Sequence, residues 1–471
     1  MRKLIISLFL VITVVSTVQS QRLLIVNDSL AIDVKDIDHI SYAADPQSPY
    51  RLICEQLAMD SKTTLFYQAL QMTGLIDSLL VYEDENYPTN LSGQAFPVKQ
   101  GAGGGSVLCY YLTSRPRRFT VFVETDSVFR AAGINNIDDL KVWAKTVYDE
   151  VFPQDASISD PTNRCNSLNR FVSYHILRHA AGYAALTPVN DRNTILANHM
   201  PGTTSDVATF YETMMPFASL KCSYPRGVKP DGIYLNRRGL KDNYTVRGIH
   251  IMQDGGDYDH WTDNGDYFYI DSLLVYDKTT QEKVLHDIWR VDFKDLSPDL
   301  LNLGFRQEES PLIGIPGGYV DNIDTDAEVV ILYPHSTYWL AYEGDAVSCP
   351  NMKRLTVKLP PLPAGQWQVR LGYSSGAERP VINTYINGVL QFSNIDLREL
   401  KLSVDADDNL FHGPDDYFLN GSIPMSSYTH NYRIVVGSLS SDGSQDYYLT
   451  FEVTIPEFDY WPIDFLEFVP I

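Results

Sequence analysis

The chain has 471 residues and a formal net charge of −22, with 44% hydrophobic and 20% charged residues. That balance belongs to a globular protein rather than a disordered one, and the length allows two or three domains. A surface this acidic repels phosphate backbones, which excludes nucleic acid as a natural partner. Thirty tyrosines lean toward β-rich structure and wet recognition surfaces.

The N-terminus carries an export signal. Arg2 and Lys3 precede an apolar run from Leu4 to Val15, and Val18 with Ser20 gives a small-residue cleavage pattern. Residues 1–20 therefore read as a secretory signal peptide. The run is shorter than the ~20 apolar residues of a spanning helix, so cleavage is expected and no transmembrane segment remains in the mature chain. The first cysteine is Cys54, too far from the run for lipid attachment. Cys54, Cys109, Cys165, Cys222 and Cys349 are widely spaced, so no metal or redox motif is expected, and no cofactor. One or two disulfides after export are compatible with this set, and the spacing fixes no pairing.

Residues 21–47 read as a short β segment, with Leu23, Ile25, Ile32 and Val34 on two strands around a polar turn. A helix follows, with Ser61 as N-cap, Leu65, Ala69 and Met72 on one face, and Gly74 as its stop. The stretch from Tyr82 to Ser106, including Gly101 and Gly103 to Gly105, reads as a flexible loop. Phe119 to Val123 is a strand, and Thr125 caps a brief helix ending at Gly133. Leu140, Trp143, Ala144, Val147, Tyr148 and Val151 form one apolar stripe, which predicts the clearest helix. Another helix is expected from Ser167 to His179, and Asn264-Gly265 signals a turn into a strand over Tyr267 to Tyr276.

Three of these segments resemble the fasciclin family. Phe119 to Phe129 (FTVFVETDSVF) is similar to the first signature of fasciclin domains. Phe171 to Leu177 (FVSYHIL) is similar to their histidine box, and Asn264-Gly265 with Phe268 to Leu274 is similar to the closing strand. The resemblance covers residues 48–290, with insertions before the first signature and from Tyr183 to His260. It implies an α/β (α+β) domain with a β-wedge and helices. It also implies adhesion to proteins, matrix components or polysaccharide rather than enzymatic turnover, with Tyr174 and His175 as the pair tied to binding.

Residues 291–309 read as a connector and 310–471 as a β-sandwich domain resembling jelly-roll modules. Leu355, Val357 and Leu359 alternate, as do Trp367, Val369, Leu371 and Tyr373, and as do the odd positions from Tyr447 to Ile455. Asn387-Gly388 is a two-residue hairpin signal.

His175 falls on the apolar face of its helix, the place of a hydrogen-bonded core histidine, whereas Tyr174 lies one residue around. Asp254, Asp257, Asp259, Asp263 and Asp266 crowd a glycine-rich stretch. Their spacing does not match a calcium loop, so they read as solvated carboxylates on a hairpin. His250 and His260 read as surface residues. Alternation places Trp367 in the core. Tyr338 and Trp339 are adjacent, so on a strand one of them faces outward, which makes this pair the candidate glycan platform. The expectation is an exported adhesion or binding protein without catalysis. The alternatives are carbohydrate binding through the sandwich, and a glycan hydrolase with an unrecognised acidic site.

Overall fold

Helix α5 (Ile137–Val151) shows how the sequence builds its N-terminal half. Asn136 caps it by accepting from the backbone N–H groups of Asp138 and Asp139, and Leu140, Ala144 and Tyr148 carry its buried stripe. The computed structural model describes residues 23–26, 30–33, 51–99, 106–187, 207–225, 228–241, 244–302, 313–332, 342, 345–374, 379–398, 403–404, 411–412, 417–419, 431–455 and 461–471. The signal segment, the glycine run at 101–105, and Tyr338 with Trp339 lie outside these residues.

Residues 1–49 and 50–471 are separate units. In the first, Leu23–Val26 pairs antiparallel with Leu30–Asp33, giving the expected short hairpin.

In the second unit, three short helices open the chain: α1 (Ile53–Met59), α2 (Thr64–Met72) and α3 (Leu75–Leu79). The α2 helix starts after Thr63 rather than at Ser61, and Gly74 adopts φ +69° between α2 and α3. Then come α4 (Asp126–Ala131), α5 and α6 (Ser167–Tyr174). The last is shorter than its apolar pattern predicts. After Tyr174 the chain extends, and Ile176 and Leu177 pair with Val121 and Thr120. These helices surround a four-stranded sheet ordered His260–Thr262, Gly265–Ile270, Phe119–Glu124, Ile176–Leu177. Its two middle strands are parallel, with Tyr267 opposite Val121.

The rest is β-structure, and it overturns the α/β (α+β) wedge-and-helix class. Among the described residues strands outnumber helices and spread over several sheets, and the only other α-helix is Pro298–Asn302. The stretch read as a loop holds two paired strands, Ala95–Lys99 and Ser106–Tyr111. They join the largest sheet through a parallel contact between Tyr110 and Ile313. Trp289–Asp292 enters the same sheet against Phe465 to Phe468. That sheet therefore takes strands from both sides of residues 291–309. A five-stranded sheet, centred on Tyr448–Ile455, contributes Leu355, Val357, Leu449 and Phe451 to the shared core. Trp289–Asp292 lacked a visible period because both of its faces are buried, whereas Ser106–Tyr111 leaves Leu108 and Tyr110 exposed. All four residues of Trp289–Asp292 are buried, two of them charged.

Candidate functional site

The site begins with a turn. Gly255 and Gly256 take φ +65° and +97°, which closes a two-residue turn between Asp254 and Asp257. The chain then runs into the hairpin His260–Thr262/Gly265–Ile270. Asn264 fixes this hairpin from below: its Oδ1 accepts from Ile53 N (2.9 Å), and its Nδ2 donates to Leu79 O (2.6 Å). Gly265 has φ +139°, and a Cβ there would fall 1.8 Å from Phe119 O. The hairpin is thus clamped to the sheet edge.

Side chains alternate along the hairpin. Asp259 and Trp261 are two residues apart, and Trp261 lies directly opposite Asp266. These three share one face. Trp261 is 59% exposed, whereas Asp266 is 1% exposed. Gly182 lies against the indole edge; a Cβ there would sit 3.1 Å from Trp261 Cη2 and 3.5 Å from Asp259 Oδ1. Asp259 Oδ1 accepts from Tyr183 N at 2.6 Å. The Tyr183 ring stacks on Tyr258 with centroids 3.7 Å apart. The hairpin face is therefore tied to the loop at 182–183.

Asp266 Oδ1 has no hydrogen-bond partner among the described residues. Burial pushes its carboxyl up to about 7, the nearby Asp259 charge adds to the rise, and Arg118 opposes it. Asp259 is itself raised, chiefly by burial. The acidic stretch is therefore mixed: Asp257 and Asp263 are exposed and Asp254 pairs with Lys62 at 2.7 Å, whereas Asp259 is half-buried and Asp266 is buried. Among the described residues no group of three or more His, Cys, Asp or Glu side chains could hold a metal ion.

The opposite face corrects the surface reading of the histidines. His260 stacks on Tyr267 (4.5 Å between centroids), and its basicity is lowered, first by burial. His250 is buried, with Nε2 3.2 Å from Asp231 O.

Tyr174 and His175 are fully buried and offer nothing to a partner. The Tyr174 hydroxyl donates to Ser219 O at 3.1 Å and accepts from Asn236 Nδ2 at 2.9 Å. His175 Nδ1 donates to Phe171 O at 2.7 Å, and its Nε2 lies 2.8 Å from Glu124 Oε1. Glu124 Oε1 also accepts from Leu274 N at 2.9 Å. This pair knots a strand, a helix end and a loop together inside the core. Trp367 is fully buried, as its alternation predicts. Cys54, Cys109, Cys165 and Cys349 carry free thiols.

A cleft of about 460 Å³ beside α5 and α6 is lined by Lys141, Lys145, Ser157 and Leu168. Its lysines are already paired, with Asp138 at 3.0 Å and Asp149 at 2.6 Å. The Trp261 face, by contrast, combines an open aromatic ring with an unpartnered carboxyl oxygen. Trp261 escaped the sequence reading. The signal for it was the hairpin register, which sets it opposite one of the flagged aspartates.

No family model and no curated protein matches the chain. Among solved structures it is similar to a Paenibacillus xanthan lyase, at 12% identity over 31% of this chain and 12% of that one, with a TM-score of 0.22. It is also similar to the insecticidal crystal protein CRY2AA, at 10% identity over 73% and 69% of the two chains, with a TM-score of 0.19. A third is an exo-beta-1,3-galactanase from Phanerochaete chrysosporium with beta-1,3-galactotriose, at 12% identity over 53% and 54%, again with a TM-score of 0.19. Likenesses this slight carry no argument about fold or function.

Proposed function

We propose that the protein is an exported, non-catalytic recognition protein that binds an extracellular protein, matrix component or polysaccharide through the Trp261 face of its hairpin. The observation that carries this reading is a large aromatic side chain, more than half exposed, on a hairpin that Asn264 and Gly265 hold rigid. Isolated exposed apolar residues are ordinary on protein surfaces. This one differs because a buried, unpartnered carboxyl group lies directly across the strand pair from it. A rigid aromatic anchor with a polar group beside it is what a recognition hot spot needs. The likeness of Phe119 to Phe129 and of Phe171 to Leu177 to fasciclin signatures supports adhesion as sequence resemblance only.

The test is a binding screen of residues 21–471 on glycan and matrix-protein arrays, run with the wild type and with Trp261→Ala. A signal that disappears in the variant supports the reading. An empty array, or a signal that the variant keeps in full, overturns it.

A further inference from the structure

Resting on that reading, we propose that the Trp261 face takes a neutral sugar residue, with the ring stacked on the indole and its hydroxyl groups bonded to Asp259 and Asp266. Three observations converge. The indole presents a flat apolar surface to solvent, and a pyranose offers a matching face of C–H groups. Asp259, at the rim of this face, spends its Oδ1 on Tyr183 N. Its Oδ2 has no hydrogen-bond partner among the described residues and can accept a hydrogen bond from a ligand hydroxyl. Asp266 forms the floor, nine-tenths and more buried, with an oxygen that no described residue satisfies.

Leaving a buried polar atom without a partner costs about 1–3 kcal/mol, so such an atom calls for an explanation. A ligand hydroxyl supplies one. The carboxyls also differ in character. Burial and the nearby Asp259 charge both favour the protonated form of Asp266. One group accepts and the other donates, and a sugar hydroxyl does both. An anionic ligand would meet two carboxyl groups.

The indole edge lies against Gly182, where an added Cβ would come within 3.1 Å of Trp261 Cη2 and 3.5 Å of Asp259 Oδ1. A side chain there would press on both Trp261 and Asp259.

The experiment titrates the full mature chain with xylan, mannan and laminarin as neutral probes, alginate and heparin as acidic probes, and polylysine as a cationic one. Binding is read by calorimetry and by tryptophan fluorescence. The expected result is binding to at least one neutral polymer, weakened about tenfold or more by Trp261→Ala. Trp261→Phe should keep part of the affinity, and Asp259→Ala should lose several-fold. Thermal melts of the Trp261 variants should match the wild type, because Trp261 is exposed. Binding to polylysine or an acidic polymer that Trp261→Ala abolishes would overturn the sugar assignment while leaving the recognition surface in place. So would capture of a matrix protein with no glycan response. Neutral-polymer binding that Trp261→Ala leaves unchanged, or no Trp261-dependent binding to any probe, would overturn both.

Discussion

Arg115 grips Asp299 with a two-pronged contact, Nε to Oδ1 at 2.9 Å and Nη2 to Oδ2 at 2.7 Å, and both side chains are buried. The same guanidinium reaches Asp84 at 2.8 Å and Asp321 at 2.8 Å. One arginine therefore ties together segments more than two hundred residues apart in sequence. Arg115→Ala should destabilise the protein on the order of 3–5 kcal/mol, because it leaves the buried Asp299 with only the more distant Arg117, at 3.7 Å, as counter-charge. Urea denaturation checks this. Arg115→Lys should recover little, since an ammonium cannot span both carboxylate oxygens. A midpoint within error of the wild type in either variant would refute the role.

Asp266 gives a pH signature. Its folded carboxyl titrates at about 7, against roughly 3.9 in an unfolded chain. Between those values the folded state holds a proton that the unfolded state has released. Stability should therefore fall as pH rises through that window, by at most about 1.4 kcal/mol per pH unit, and then level off. Asp266→Asn removes this slope. Urea midpoints at pH 5 and pH 8 should converge in the variant relative to the wild type; an unchanged difference would show that Asp266 titrates normally.

His175→Ala should cost stability and not recognition. The substitution leaves Glu124 buried without its imidazole and removes ring contacts with Phe66 and Phe171. The expected loss is about 3–5 kcal/mol. Binding at the Trp261 face, measured on the folded fraction, should keep its affinity. A stable variant with lost binding would assign His175 to the interface instead.

Gly265→Ala tests how firmly the hairpin is held. The new methyl would collide with the Phe119 carbonyl, and φ of +139° disfavours any side chain. The cost should be on the order of 4 kcal/mol or more, at the exceptional end for a single substitution. A thermal melt reads the loss, and a wild-type melting temperature would mean that the clamp is slack.

Where burial is one-sided, the fold was open to reading. Trp367, Val369 and Leu371 alternate in sequence and are all buried, and Asn387-Gly388 turns with φ of +47° and +77°. The stripe of α5 was equally plain. Where both faces are buried, the pattern vanished. Arg290 sits inside a strand because Glu467 neutralises it at 3.0 Å from across the sheet, 177 residues away. No local signal announces such a pairing. The same limit applies to the site. The turn and the acids were visible, but Gly182 and Tyr183 meet the hairpin only through tertiary folding. The left-handed turn glycines at 255 and 256 explain why the acids cluster, and Trp261 emerged only from the pairing register.

The strand Ile463–Pro470 lies inside the largest sheet, with Gly365–Ser374 on one side and Trp289–Asp292 together with Val347 on the other. During synthesis, that interior place stays vacant until residue 470 has left the ribosome. Apolar surface around Trp289 and Trp367 has nothing to cover it in the meantime. The chain cannot complete this sheet piecemeal as it is made, and a nascent form must be kept from aggregating until Ile463–Pro470 arrives.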